Sequence, residues 1–267
     1  MTSPSSDLAH HSRHLPLPFF GASGVEKLSV ASVAVVGCGG LGAPILQALA
    51  GAGVGKLRLF DDDVVEASNL NRQFLFGRVD IGQSKAEQAK AWVNALLPSV
   101  DVDARRERVS PAFAASQLAG VDLVIDATDG LPNKYLLNDV CVADNVPLIH
   151  GAVTSTTGQI LVVPGAGGPC LRCLFPTIPA ADAVPSCQEA GVLGASCGVV
   201  GHAMGAEAIK WLLGMNEQCL VGKLLSIDVF THRYQALPFP KKATCPACGT
   251  GECDGSDPDD YVASCTL

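Results

Sequence analysis

The segment SVAVVGCGGLGAPILQALA, at residues 32–50, constrains the fold more than any other part of the chain. Ser32 to Val36 is a short apolar, β-branched run ending on glycine, and Leu41 to Ala50 carries apolar residues at helical spacing, so the order is strand, turn, helix. Gly37, Gly39 and Gly42 fit the pattern G-x-G-x-x-G. Glycines there let the backbone approach a phosphate and set it at a helix N-terminus, where unpaired N–H groups and the helix dipole favour an anion. The turn alone does not separate a nucleotide site from a tight, ligand-free corner, but it does call for parallel βαβ units.

The rest of the chain repeats that unit. Lys56 to Phe60, Val100 to Val109, Val121 to Ile125 and residues 146–150 read as strands, with helices at Ser84 to Leu97 and Lys134 to Asp144 and a short one at Gly24 to Ser29. After His150 the texture changes. Gln159 to Val163 and Lys223 to Phe230 read as strands, Gly165 to Pro185 is a Gly/Pro/Cys-rich excursion, and Gly198 to Leu213 is a helix rich in small residues. The expected fold is α/β: a Rossmann-like, mostly parallel sheet with helices on both faces and a C-terminal antiparallel extension. Residues 1–20, rich in Ser, His and Pro, are expected as a flexible arm, 21–250 as a single domain, and the acidic, Gly-rich 251–267 as a disordered tail.

The 267 residues, 48% hydrophobic and 16% charged, suffice for one large core. A formal net charge of -8 opposes a nucleic-acid binder, whose footprint is a basic patch. No apolar run reaches the roughly 18 to 20 residues that span a bilayer, and the start, MTSPSSDLAHHSRHLPLP, lacks the basic-then-apolar order of a secretory signal. A cytoplasmic location away from membranes is expected.

Asp61 lies about 20 residues beyond the glycine turn, at the end of the second strand, where a ribose-binding carboxylate is expected. Thus far an NAD-dependent oxidoreductase remains an alternative. The segment from Asp61 to Lys85, DDDVVEASNLNRQFLFGRVDIGQSK, turns the reading towards ATP. Asn69, Arg72 and Lys85 follow on one connection, and Arg and Lys are charge-assisted donors to phosphate oxygens. Asp129, at the end of the next strand, suits Mg²⁺, which is commonly held by one or two carboxylates together with substrate phosphates.

Eleven cysteines must be sorted singly. Cys170 and Cys173 form one C-x-x-C pair and Cys245 and Cys248 another, which together suggest a closed, structural Cys₄ zinc site, whereas a redox C-x-x-C needs only one pair. The site would tie the C-terminal segment to the Gly/Pro-rich excursion. Cys38, Cys141, Cys197 and Cys219, in or beside apolar segments, read as small core residues, and Cys253 and Cys265 in the tail as incidental. His150 and His202 read as packed structural residues.

The motifs GCGGLGAP, FDDDVVEASNLNRQ, GQSKAE, DATDG, HGAV, CLRC, SCQEAGV and CPACG, in this order over about residues 10 to 250, resemble the ThiF/MoeB/HesA family, relatives of the ubiquitin-activating enzymes. The resemblance implies a single adenylation domain that activates the C-terminal glycine of a ubiquitin-like sulfur-carrier protein ending in Gly-Gly. It implies that Gly40 sits over the phosphates and Asp61 holds the ribose. Ser68, Asn69, Leu70, Asn71, Arg72 and Lys85 would line the ATP site, with Asp129 as the magnesium-associated aspartate. Arg13 holds the place of an N-terminal arginine that reaches the neighbouring subunit's site, which implies a homodimer. Gly130 stands where the family commonly has Asn, leaving only a backbone contact there. The family has the same zinc tetrad and places its carrier-linked cysteine at Cys187, where a thiolate would form a thioester or a persulfide would pass sulfur on.

The reaction expected is attack of the carrier's terminal carboxylate on the α-phosphorus of ATP, with pyrophosphate leaving, assisted by positioning and charge neutralisation. No rhodanese-like extension follows the second zinc pair, so a separate sulfur-donor protein is expected. The alternatives are the NAD-dependent oxidoreductase and a non-catalytic scaffold that binds a ubiquitin-like protein. A milder variant is an adenylating relative that acts on tRNA.

Overall fold

Alternation along the central strand decides the layering. In β1 (Ser32–Val36), Val33 and Val35 pack into one apolar cluster while Ala34 and Val36 pack into another, and all four are buried. A strand buried on both faces needs cover on both sides. The computed structural model describes residues 9–165, 167–179, 187–253 and 261. Parallel to β1 run β2 (Lys56–Phe60) and β3 (Asp101–Arg105) on one flank and β4 (Leu123–Asp126) and β5 (Leu148–Thr154) on the other. Three antiparallel strands, β6 (Thr157–Val163), β7 (Lys223–Asp228) and β8 (Arg233–Pro238), complete the order β3-β2-β1-β4-β5-β6-β7-β8. The expected sheet and its antiparallel extension are thus both present.

The Val33 face is covered by α1 (Gly21–Val30), α2 (Gly42–Ala52) and α3 (Lys85–Leu96), and the Ala34 face by α4 (Pro111–Gln117) and α5 (Leu131–Ala143). Two four-residue helices follow, α6 (Leu171–Leu174) and α7 (Cys187–Ala190), before α8 (Gly194–Leu212) returns to the Val33 face. Several elements differ in extent from expectation. Helix α1 fills the whole of Gly21–Val30, and α5 starts three residues before Lys134 because Pro132 is tolerated in a first turn. The short α4 and strand β8 were not anticipated. β8 is exposed at all six residues, so it carries no apolar alternation to announce it. Of the expected arm, residues 9–20 are described: a 3-10 turn spans His11–Arg13, His11 is buried, and His10 Nε2 lies 2.9 Å from the Gly51 carbonyl oxygen.

Two buried ionic networks fasten the Ala34 side. Asp126, wholly buried at the end of β4, meets Lys134 Nζ at 3.2 Å and His150 Nδ1 at 2.8 Å, and its other oxygen accepts from the Thr128 N–H at 3.0 Å and hydroxyl at 2.7 Å. Lys134 Nζ also donates to the Gly151 carbonyl at 2.6 Å, so β4, β5 and α5 share one knot. His150 is therefore the packed residue expected, whereas His202 is exposed on α8. Burial would raise the Asp126 carboxyl, but Lys134 and His150 beside it more than reverse this and hold it well below the usual carboxylate range. In the second network Arg172 grips the buried Asp139 through Nε and Nη2, at 2.8 and 2.6 Å. The Tyr261 hydroxyl donates to the same carboxylate at 2.6 Å. Tyr261 is thus buried within the segment expected as a disordered tail, whose residues 254–260 and 262–267, with Cys265, lie outside the described residues.

Lys134→Met strips Asp126 of its ammonium partner and should cost about 3–5 kcal/mol at neutral pH, read from the urea midpoint. Because Asp126 is depressed, its stabilisation is present above the unfolded carboxylate value and lost on acidification, so the difference from wild type should shrink below about pH 4. A loss under about 1 kcal/mol, or one that does not change with pH, counts against this role.

Candidate active site

The strand order reverses between β1 and β4, and at such a switch point the loops leaving the strands' carboxyl ends diverge and open a crevice. Gly37 leaves β1 with φ +97, a left-handed conformation that suits glycine, and Gly42 opens α2 so close to it that a Cβ there would lie 2.2 Å from the Gly37 carbonyl oxygen. The two glycines make the turn sharp enough to aim the α2 N-terminus into a cleft of about 340 Å³. Gly39, Gly40, Asp61, Arg72, Lys85 and Asp129 all line it. Residues scattered over more than 90 positions of sequence therefore share one wall system.

The side chains of Asp61, Lys85 and Arg72 each have defined partners. Asp61, at the end of β2, accepts from the Cys38 N–H at 2.7 Å and the Asp63 N–H at 3.0 Å, so it braces the glycine turn; burial raises its carboxyl above the ordinary value. Lys85 is the first residue of α3. Its buried side chain brings Nζ to 2.8 Å from Asp63, whose carboxylate is exposed at the rim. Arg72 Nη1 donates to the Ser68 carbonyl at 3.0 Å and to Asn71 Oδ1 at 3.1 Å. Asp129 is exposed on the loop that Asp126 holds through Thr128.

The remaining expected residues stand elsewhere. Asn69 is buried, and its Oδ1 accepts from the Glu66 N–H at 3.1 Å, so it shapes the turn that carries Arg72. Ser68, Leu70 and Asn71 belong to the same turn, and Gly130 is the residue before the first turn of α5; none of these five is among the cleft-lining residues. Arg13 is exposed at the end of the N-terminal 3-10 turn, outside the cleft. Cys187 opens α7, and its side chain lies outside what is described.

Sequence reasoning missed Asp62, Asp63, Gln73, Glu107, Arg108 and Cys197, which also line the cleft. Glu107 and Arg108 follow the end of β3, and the rule that ligands gather at strand carboxyl ends was the available signal. Cys197 is buried as expected of a core residue, yet it also faces the cleft, and no local pattern announces that. Cys38, Cys141 and Cys219 are buried too; burial pushes the Cys219 thiol up to about 11, which suits an inert core role. Five lining residues are carboxylates (Asp61, Asp62, Asp63, Glu107 and Asp129) against three cations (Arg72, Lys85 and Arg108). A polyanion placed here needs further positive charge.

Away from the cleft, Cys170, Cys173, Cys245 and Cys248 bring their sulfurs within 4.8 Å of one another. Cys170 and Cys245 are 3.6 Å apart at sulfur, and Cys173 and Cys248 are 3.4 Å apart. Four thiolates about 2.3 Å from one zinc would sit about 3.8 Å apart in a tetrahedron, so the donor set and its spacing fit that metal. Arg172, between Cys170 and Cys173, couples this cluster to α5 through Asp139.

Fold and cleft together are those of a doubly wound α/β protein with an anion-accepting turn at its switch point. The chain belongs to the ThiF family, whose model matches residues 11–247. It is 44% identical over 264 residues to the SAMP-activating enzyme E1 of Haloferax volcanii, covering 98% of this chain and 97% of that protein. It is 43% identical over 266 residues to the sulfur carrier protein adenylyltransferase of Thermus thermophilus, again covering 98% and 97%. Among solved structures, E. coli MccB with succinimide matches the fold with a TM-score of 0.79 at 22% identity, over 90% of this chain and 74% of that one. No helix among the described residues is long and apolar enough to cross a membrane.

Elemental analysis of the purified chain should find one zinc, and Cys245→Ser should lose it and lower Tm by several degrees; a metal-free wild type that melts unchanged in chelator would count against the tetrad. Nucleotide affinity should fall on acidification sooner than an ordinary aspartate would allow, as the Asp61 carboxyl, raised by burial, protonates and ceases to be a pure acceptor. Titration of Asp61→Asn with ATP should show weaker binding and a smaller loss on acidification than wild type, the terminal phosphate of ATP titrating equally in both; a pH dependence like that of wild type would place the titrating group elsewhere.

Proposed function

We propose that this protein is an adenylyltransferase: it uses ATP to activate the C-terminal carboxylate of a ubiquitin-like sulfur-carrier protein ending in Gly-Gly. One observation carries the reading. The glycine turn, Arg72 and Lys85 converge on a single cleft at the sheet's switch point, so an anion-binding helix terminus and two cationic side chains meet where a polyphosphate would lie. Near-full-length similarity to a SAMP-activating enzyme and a sulfur carrier protein adenylyltransferase supports the same chemistry. A dinucleotide oxidoreductase would leave Arg72, Lys85 and Asp129 without a task.

In this reading the carrier's carboxylate oxygen attacks the α-phosphorus, the bond to the bridging oxygen breaks, and pyrophosphate leaves with those electrons. Arg72 and Lys85 hold the phosphates in line and offset their charge, and Asp61 orients the ribose. The excess of carboxylates over cations around the cleft supports two additions: Mg²⁺ at Asp129, which would supply charge neutralisation, and Arg13 from the partner subunit of a homodimer. Ser68 to Asn71 act by shaping the Arg72 turn, and Gly130 by its backbone. Zinc at the four cysteines is structural. Cys187 acts after adenylation, in thioester or persulfide transfer fed by a separate sulfur-donor protein, and residues 21–250 form a single adenylation domain working in the cytoplasm.

ATP–pyrophosphate exchange should depend on a carrier ending in Gly-Gly, and Arg72→Ala and Asp129→Ala should each lower its rate about 100-fold or more. Exchange at the wild-type rate in either variant would sink the assigned site. Cys187→Ala should exchange normally and fail only in the later transfer.

A further inference from the structure

Gln73 follows Arg72 directly, yet none of the chemistry above uses it. Its backbone is pinned, the N–H donating to the Asn69 carbonyl at 2.9 Å and the carbonyl accepting from Phe76 at 3.2 Å. Its side chain is 4% exposed and lines the cleft. The carboxamide reaches across to the glycine turn, where Nε2 lies 3.4 Å from the place a Cβ on Gly39 would occupy. Its Oε1 is buried with no hydrogen-bond partner among the described residues. Burying an amide oxygen unpaired costs stability, and an apolar side chain of the same size would fill the position without that cost. A carboxamide at this position makes physical sense if a ligand completes its bonding.

We propose that Gln73 is a further substrate-binding residue, a neutral carboxamide that engages the polyphosphate of the nucleotide beside Gly39. An uncharged donor suits this position: Arg72 and Lys85 already supply charge, and a glutamate in the same shape would add a sixth carboxylate to the five lining the cleft. The contact with phosphate is a donation from Nε2, the carboxamide's only donor, and Oε1 then accepts from water or a hydroxyl that enters with the nucleotide. This inference rests on the adenylation reading, because it needs a phosphate at the turn.

Gln73→Met separates a binding role from a structural one. It keeps the length and volume and removes the unpaired polar atom, so Tm should stay level or rise while ATP affinity falls about 10- to 100-fold, the size of a hydrogen bond to a charged group. Adenosine affinity should be unchanged, which assigns the lost contact to the phosphates. ATP affinity within twofold of wild type overturns the proposal, as does an equal loss for ATP and adenosine. If Gln73→Met does not fold, Gln73→Glu is read in the same way, since its carboxylate would repel the phosphates: wild-type ATP affinity overturns the proposal, and a loss confined to ATP supports it. A wild-type protein that binds no ATP instead fails the adenylation reading itself.

Discussion

The buried carboxylate of Asp126 is the contact on which the rest of this architecture leans. A wholly buried charge is tolerable only when paired and fully hydrogen-bonded, and here Lys134, His150 and Thr128 meet that demand from three different elements. The consequence is geometric. The end of β4, the start of β5 and helix α5 cannot shift independently, so the loop from Ala127 to Gly130 leaves the sheet in one direction and presents Asp129 to the cleft. A residue outside the cleft lining thereby sets the position of one within it.

The cleft has the opposite character: open, rich in charge, and unbalanced towards carboxylates. Its anion-accepting features come from backbone, at the glycine turn and the α2 N-terminus, and from Arg72, anchored by its own turn, and Lys85, anchored by Asp63. An excess of carboxylates around a phosphate site makes sense when cations arrive with the substrate or from a neighbouring chain. The rigid half of the site thus belongs to the sheet and the adjustable half to what binds there. The cysteine knuckle serves the rigid half at a distance, since Arg172 and Tyr261 converge on Asp139 in α5, the same helix that carries Lys134.

Much of the fold was legible in the sequence because its signals are local. The run from Ser32 to Ala50 announces strand, turn and helix, the paired C-x-x-C motifs announce a metal knuckle, and the family motifs fall in order along nearly the whole chain. Strand β8 stayed hidden because all its residues are exposed, and α4 because seven residues give too little periodicity to read. Within the site, Arg72, Lys85, Asp61 and Asp129 were legible from residue type and position, whereas Asn69 carries a ligand-like amide that is spent on its own turn. Gln73 and Cys197 gave no signal, because what sets them apart is which surface their side chains face.

By itself the sequence determined the class of sheet, the glycine turn and the two thiol pairs that could hold a metal, since each depends on residue chemistry at short spacing. Only the tertiary structure decided which charged residues share the cleft and which are buried knots. Asp126 and Asp129 stand three residues apart at the end of one strand and look alike in sequence. One is fully buried against an ammonium and the other is open at the cleft rim, because the chain bends between them and a carboxylate's role follows from its surroundings.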